Sequence, residues 1–86
     1  MLELIEKTRV LQVYKVSEIS LLGVKEVSEG LNISMSSIII KNVDDEFYYM
    51  IGDTRARVGD VIFLGEHGVV MSATMENMLE GYEINA

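Results

Sequence analysis

The 86-residue sequence contains no cysteine, no proline and no tryptophan. Without cysteine the chain can form no disulfide framework, no thiolate metal site and no cysteine nucleophile. No stretch approaches the roughly 18 apolar residues that a transmembrane helix needs. The N-terminus carries Glu3 and Glu6, where a secretory signal would place a basic region and then an apolar one. These absences argue against secretion by that route and against a membrane-spanning helix.

Basic residues are also scarce, with seven Lys and Arg against fourteen Asp and Glu, which gives a net charge of −7. This charge repels phosphate backbones and anionic membranes, so neither a nucleic acid nor a membrane is predicted as a partner. The acidic residues are scattered rather than grouped in blocks, which favours a role in solubility over mimicry of DNA. A basic surface on another protein is the macromolecular partner that the charge permits.

The length predicts a single domain, residues 1–86. Segments rich in β-branched and aromatic residues alternate with two helical patterns. The predicted strands are Arg9–Val16, Ser37–Val43, Glu46–Gly52, Arg55–Val58, Val61–Leu64 and Val69–Met71. The run of branched residues in Ser37–Val43 predicts a strand that is buried on both faces. The predicted fold class is α+β, a small antiparallel β-sheet domain of five or six short strands with two helices.

The two helices are predicted from their caps and their apolar spacing. Ser17 is expected to cap the first, which runs to about Glu29, and Ser72 or Thr74 is expected to cap the second. The apolar face predicted for the first helix consists of Ile19, Leu22, Val27 and Leu31. The apolar face predicted for the second consists of Met75, Met78, Leu79 and Tyr82.

Two glycine-containing turns lie in the stretch RARVGDVIFLGEHGVV. Gly59 and Asp60 are predicted to form a turn, because glycine accepts a positive φ and the aspartate carboxylate bonds to nearby backbone N–H groups. The alternative role for Asp60 is that of a catalytic acid or metal ligand. Gly65 and Gly68 are predicted to bracket a second turn.

That second turn contains Glu66 and His67, and His67 is the only histidine. No metal site of two or three histidines can therefore be built within one chain, and no metal is predicted. His67 is interpreted either as a solvated turn residue or, together with Glu66, as part of a loop that faces a ligand.

Arg55 and Arg57 alternate about Ala56, so on a strand both guanidinium groups leave the same face. They are interpreted either as a bidentate site for phosphate or as partners of acids on a solvated face. Tyr48 and Tyr49 point to opposite faces of their strand, so at most one of them belongs to the core. The other, Tyr48 in our assignment, is a candidate to stack on a base or on a partner.

No enzyme is predicted. The sequence has no Gly-x-Ser-x-Gly motif to place a nucleophilic serine and no Gly-x-x-x-x-Gly-Lys phosphate loop. No catalytic residue and no cofactor are assigned.

The order of motifs resembles that of small bacteriophage and prophage proteins with a Pro-Gly-Asp-Tyr/Trp signature. The corresponding segments here are Lys7–Tyr14, Gly52, Ala56–Asp60, Val61-Ile62, Gly65–Gly68, Met78 and Tyr82-Glu83. Val58 stands in place of the signature proline and Val61 in place of the aromatic residue. The Tyr-Pro-Cys segment of many members is replaced by Val70-Met71-Ser72. The resemblance implies a phage or prophage accessory protein that acts in the host cell cytoplasm.

A second resemblance covers only the end of the chain, SATMENMLEGYEI. It is similar to one family of phage proteins that counter the Thoeris defence system by sequestering its nucleotide signal. The matching segments are Ser72, Asn77–Leu79 and Tyr82–Ile84. This resemblance implies that the protein binds a small nucleotide signal, and Arg55 and Arg57 are expected to hold its phosphate groups.

Three functions remain open from the sequence. The first is sequestration of a nucleotide signal at a subunit interface, without catalysis. The second is an acidic inhibitor that binds a host enzyme, and the third is a minor structural protein of the virion. A homo-oligomer is predicted, because SIIIKNV or VIFL at a sheet edge would expose unpaired backbone groups and no proline is present to block them. A two-fold dimer is expected to bring two copies of the arginine pair together.

Overall fold

A computed structural model describes residues 2–6 and 9–84. Lys7 and Thr8, the first two residues of the N-terminal motif, lie outside the described residues, as do the ends of the predicted 1–86 domain. The strands and helices follow one another as β1 Leu2–Glu6, β2 Arg9–Lys15, α1 Leu21–Leu31, β3 Ile38–Val43, β4 Glu46–Ile51, β5 Thr54–Ala56, β6 Asp60–Leu64, β7 Val70–Thr74, α2 Met75–Gly81 and β8 Glu83–Ile84. The longest helix has 11 residues, and in the described part of the chain none is long and apolar enough to cross a membrane.

The α+β fold class is confirmed, with two helices and antiparallel pairing throughout. The strand count is eight rather than the predicted five or six. The two strands that the sequence pattern missed are β1 and β8, which pair with each other at the edge of one sheet. β8 has only two residues, so it carries no alternation from which a strand could be predicted.

The strands form two sheets. The larger sheet has the order β7-β6-β2-β1-β8, and the smaller has the order β3-β4-β5. β6, which contains the VIFL sequence, pairs with β2 on one side and β7 on the other. The prediction that VIFL is an edge strand is therefore wrong. SIIIKNV, whose last six residues form β3, does lie at an edge, because in the part of the chain that the structure describes β3 pairs with β4 alone.

β3 differs from the prediction in its burial. Ile38 is buried against the core, but Ile39 is 53% exposed and Val43 is 52% exposed. In one chain, α1 covers a single face of the three-stranded sheet, so alternate residues of β3 face solvent. The prediction of a strand is confirmed, but the prediction that it is buried on both faces is wrong.

Helix α1 begins later than predicted. Its N-cap is Ser20, whose hydroxyl accepts a 3.0 Å hydrogen bond from the backbone N–H of Gly23. The predicted cap, Ser17, precedes the helix by four residues. The Tyr49 hydroxyl accepts a 3.1 Å hydrogen bond from the Ser20 backbone N–H and donates a 2.9 Å bond to the Glu18 carbonyl. These bonds fix the chain in a non-helical conformation up to the cap.

The buried face of α1 includes Val24, Val27 and Leu31. Leu22, which was predicted to belong to it, is 58% exposed.

In α2, Thr74 is the N-cap and accepts a 3.1 Å bond from the Asn77 N–H, as one of the two predicted alternatives. Met78 is its buried residue.

Side chains pack into two clusters. The first lies between α1 and the β-strands around Tyr49, whose exposed fraction is 0%. The second includes Leu4, Val13, Val61 and Met78, with α2 packed against the larger sheet. The predicted α2 face is only partly buried, because Leu79 is 43% exposed.

The turn between β3 and β4 places two L-residues in the left-handed region, with φ values of 52° at Asp44 and 65° at Asp45. A two-residue hairpin turn of this kind favours Asn-Gly or Asp-Gly. We expect Asp45→Gly to raise the free energy of unfolding by about 0.5–1 kcal/mol, because glycine adopts this conformation without a steric cost. Urea unfolding followed by circular dichroism measures the change.

The matched control is Asp53→Gly, in the turn between β4 and β5. There Gly52, with φ 61°, takes the left-handed position, and Asp53 does not have a positive φ. The control is expected to lower stability by up to about 1 kcal/mol, because glycine loses more entropy on folding. Equal effects of the two substitutions would contradict the prediction.

Candidate functional site

The face of the three-stranded sheet that points away from the core carries an aromatic ring between two cations. β4 is the central strand, and Tyr48 on it pairs with Lys41 of β3. On the other side, β5 places Arg55 opposite Met50. Because paired residues share a face and the side-chain period is two, Lys41, Tyr48 and Arg55 all lie on this face. We call it the open face.

Arg55 lies over the ring of Tyr48, with its guanidinium carbon 5.1 Å from the ring centroid. This is the geometry of a cation–π interaction. Arg55 is exposed, whereas Tyr48 is 9% exposed although its strand neighbour Tyr49 fills the core on the opposite face. Arg55 is thus one of the side chains that cover Tyr48, and Tyr49 is the tyrosine of the pair that belongs to the core cluster.

Arg57 is held differently from Arg55. Its Nε lies 2.9 Å from Oε1 of Glu46, and both side chains are about half exposed. Arg57 is thus paired with an acid on an exposed surface, which is one of the two interpretations that the sequence allowed. Among the described residues Arg55 has no such carboxylate partner. β5 ends at Ala56, so Arg57 lies just beyond the strand.

Two hydroxyl groups of β7 and β5 fix the backbone beneath Arg55. The Ser72 hydroxyl donates a 2.6 Å hydrogen bond to the Arg55 carbonyl. The Thr54 hydroxyl donates a 2.8 Å bond to the Val70 carbonyl. Sequence analysis missed both contacts, because they join strands 16 or more residues apart and involve ordinary serine and threonine residues.

Lys41 is also a residue of the open face that sequence analysis did not assign to the site. The signal was present in the hairpin, since the Asp44-Asp45 turn fixes a register in which Lys41 stands opposite Tyr48. Only the position of Arg55 on the third strand required the structure.

Gly59 and Asp60 form a turn that ties β2 to β6. Gly59 has φ 96°, and its N–H donates a 2.8 Å bond to the Val16 carbonyl. The Asp60 carboxylate accepts a 2.9 Å bond from the backbone N–H of Arg57. The Asp60 carboxylate therefore closes the turn that follows β5, and this turn positions Arg57.

Gly65 and Gly68 bracket the turn between β6 and β7. The Gly65 N–H donates a 2.7 Å bond to the Val69 carbonyl, and His67 is exposed with φ 60°. Glu66 stands beside it in the backbone of the same 3₁₀ turn. Thr54 contacts Val70 whereas Arg55 contacts Ser72, so this turn lies toward the Gly52-Asp53 end of β5 and Arg57 lies toward the other. The structure brings Tyr48 and Arg55 together but does not bring Glu66 and His67 to Arg57.

A second feature is a groove at the hairpin end of the small sheet. Its apolar lining comes from Ile19, Phe47 and Val58, and its volume is about 480 Å³. Phe47 is 52% exposed and Val58 is 59% exposed. Asp45 and the Glu46–Arg57 ion pair complete its walls. This groove offers an apolar surface with acidic neighbours.

Tyr14, on β2, donates a 2.8 Å hydrogen bond to Oε2 of Glu26 on α1. Burial, followed by this hydrogen bond and the Glu26 charge, raises the pKa of Tyr14 above its usual value of 10.0. The stabilisation that comes from this raised pKa is fully present below about pH 10, the value in the unfolded chain, and is lost as the pH rises further.

We expect the free energy of unfolding to fall more steeply above about pH 10 in the native chain than in Tyr14→Phe. Titration of tyrosine absorbance at 295 nm should show a late component that the substitution removes. Glu26→Gln, which removes one cause of the raised pKa, should move that component to lower pH. Superimposable pH profiles of the native chain and Tyr14→Phe would refute the assignment.

No protein-family model, curated protein or solved structure matches this chain.

Proposed function

We propose that this protein is a non-enzymatic phage or prophage accessory protein that binds a small nucleotide on the open face and sequesters it in the host cell cytoplasm. The observation that carries the proposal is the Arg55 guanidinium stacked on Tyr48 at 5.1 Å. The resemblances in the sequence supply the phage context and the class of ligand.

The chemistry of the open face suits a ligand that combines a planar ring with negative charge. The guanidinium of Arg55 rests on Tyr48 with one side and is exposed on the other. A base can stack on that outer side, and the N–H groups at the edge of the guanidinium can donate to phosphate oxygens. Lys41, exposed on the neighbouring edge strand, supplies a second positive charge.

Charge supports a small ligand over a polymer. Lys41, Arg55 and Arg57 are three of only seven basic residues in a chain of net charge −7. A long nucleic acid would place many phosphates near acidic surface, whereas a mononucleotide or dinucleotide contacts only this local group. Arg57 contributes to a ligand only by giving up its bond to Glu46, which at an exposed site costs little.

The proposal is tested by thermal unfolding with a panel of cyclic dinucleotides, ADP-ribose-type nucleotides and inorganic pyrophosphate. A ligand at 100 times its Kd is expected to add about 2.7 kcal/mol to the free energy of unfolding. Arg55→Gln should abolish the stabilisation while the fold is retained. Lys25→Gln is the matched control, since it removes an exposed cation from α1, and it should leave the response unchanged. No stabilisation by any nucleotide in the panel would overturn the proposal.

The groove lined by Ile19, Phe47 and Val58 favours a second candidate, an inhibitor that binds a host protein. Exposed apolar side chains beside carboxylates suit a partner segment with an apolar anchor next to a basic residue. If this candidate is correct, Phe47→Ser abolishes formation of a stoichiometric complex with one host protein, while Arg55→Gln does not.

A further inference from the structure

Among the described residues, β3 is the longest of the four edge strands, and a single chain leaves its outer edge without a partner strand. β3 pairs with β4 continuously from Ile38 to Val43, without an extra residue that would bulge the strand. On the other edge the Ile38 N–H donates to the Met35 carbonyl, and no other described residue forms a hydrogen bond with that edge of the β3 backbone. Proline is absent, and Lys41 is the only charged residue on the strand, so the edge has little of the protection usual in monomers.

The hairpin determines which backbone groups point outward. The two-residue turn Asp44-Asp45 makes Val43 and Glu46 a closely hydrogen-bonded pair, and such pairs recur at every second residue. The N–H and C=O groups of Ile39 and Lys41 therefore face β4. Those of Ile38, Ile40 and Asn42 face outward.

We propose that a second copy of this chain covers this edge, with β3 paired to β3 of the partner subunit in antiparallel orientation about a two-fold axis at Ile40. In this register Ile40 pairs with Ile40 of the partner subunit, and Ile38 pairs with Asn42 of the partner subunit. In this register Ile40 and the Asn42 N–H of each strand pair with the partner strand, and the Ile38 carbonyl accepts. The Ile38 N–H stays on the Met35 carbonyl of its own chain, so up to about four backbone hydrogen bonds form.

The side chains fit the same register. Lys41 lies opposite Ile39 of the partner subunit, so the two lysines are not directly opposed. The aliphatic stem of Lys41 can cover Ile39, which is 53% exposed in one chain. Because residues of equal parity are paired, the core faces of both subunits lie on one side and both open faces on the other.

The resulting sheet has six strands in the order β5-β4-β3-β3-β4-β5. It places Lys41 beside the two-fold axis and each Arg55 on an outer strand. The dimer thus differs from the expectation that the arginine pairs meet at the interface. It also does not depend on ligand binding: Arg55→Gln should leave the dimer intact, and loss of the dimer should leave the Tyr48–Arg55 pair of each chain in place.

The first test replaces Asn42 by proline. The N–H of Asn42 faces outward, so Asn42→Pro removes no bond to β4 but removes a donor at the interface and places the ring against the partner strand. Light scattering of the native chain at micromolar concentration should give about twice the monomer mass of 9.6 kDa. Asn42→Pro should raise the dissociation constant at least about tenfold. Asn42→Ala, which keeps the N–H, should remain dimeric. A native mass of 9.6 kDa overturns the proposal.

The second test fixes the register and needs no proline. The chain has no cysteine, so an added one can form a disulfide only between subunits. Ile39→Cys and Lys41→Cys, mixed after separate purification and oxidised, should give a covalent heterodimer in high yield. Each variant alone should crosslink poorly, because identical positions lie on a diagonal of about 7–8 Å, beyond the usual Cα separation in disulfides. A dimer in which either single variant crosslinks as well as the mixture overturns the register.

Discussion

Gly23→Ala is expected to lower the free energy of unfolding by about 2–4 kcal/mol, although alanine is normally favoured in a helix. A methyl group at this position would overlap the hydroxyl of Tyr49 and approach within 3.2 Å of the Glu18 carbonyl oxygen. Tyr49 is fully buried, and its hydroxyl bonds to the backbone that precedes α1. The methyl group must either displace α1 from the sheet or break these bonds.

A double-mutant cycle tests whether overlap with the Tyr49 hydroxyl causes this loss of stability. Tyr49→Phe alone should cost about 1–2 kcal/mol, because the Ser20 N–H loses its partner. In the Tyr49→Phe background the hydroxyl is gone, so Gly23→Ala should cost about 1–2 kcal/mol less than in the native chain. Gly81→Ala in α2, where nothing lies within 4 Å of the added carbon, is the control and should be neutral or slightly stabilising. Additive effects of the two core substitutions would show that the steric explanation is wrong.

Leu4→Ala is expected to cost about 2–4 kcal/mol, the usual range for a buried leucine that leaves a cavity. Leu4 is fully buried, in the cluster that it forms with Val13, Val61 and Met78. It belongs to β1, which pairs with β2 over five residues and also holds β8. Chemical denaturation monitored by tyrosine fluorescence measures the loss.

Leu21→Ala removes the same atoms from a side chain that is 79% exposed, and it should change stability by less than about 0.5 kcal/mol. If Leu4→Ala has an equally small effect, β1 is not an integral part of the larger sheet.

The sequence predicted elements whose signals are local. The β3–β4 hairpin was predicted from a branched run, a polar turn and an aromatic run, all within 16 residues. The Gly59-Asp60 turn was predicted from the preferences of the two residues themselves. β1 was missed because its buried residue, Leu4, packs against Val61 and Met78, which come much later in the chain.

The start of α1 was also beyond sequence analysis. Ser17 and Ser20 are equally good caps by residue type. The choice between them is made by Tyr49, some 30 residues away, whose hydroxyl binds the backbone on either side of Ile19. A distant side chain thus decides where a helix begins.

The candidate site shows the same division. Alternation on a strand predicted that one of Tyr48 and Tyr49 leaves the core, and Tyr48 was chosen as the candidate for binding. The different partners of Arg55 and Arg57, a ring for one and a carboxylate for the other, depend on the end of β5 at Ala56. β5 is followed directly by the turn in which the Asp60 carboxylate accepts from the Arg57 N–H, and nothing in the alternating arginines signals this boundary.

The contact between β5 of the smaller sheet and β7 of the larger sheet has a consequence for amide hydrogen exchange. The Gly52-Asp53 turn directs the backbone groups of Thr54 and Ala56 toward β4 and those of Arg55 toward β7. There the Arg55 carbonyl accepts a hydrogen bond from the Ser72 hydroxyl, and no described residue accepts a hydrogen bond from the Arg55 N–H. The Arg55 amide therefore exchanges with solvent deuterium ahead of its two protected neighbours. The Arg55 amide is therefore an isotope probe at the base of the open face. Slower exchange of this amide would report a closer approach of β5 to β7.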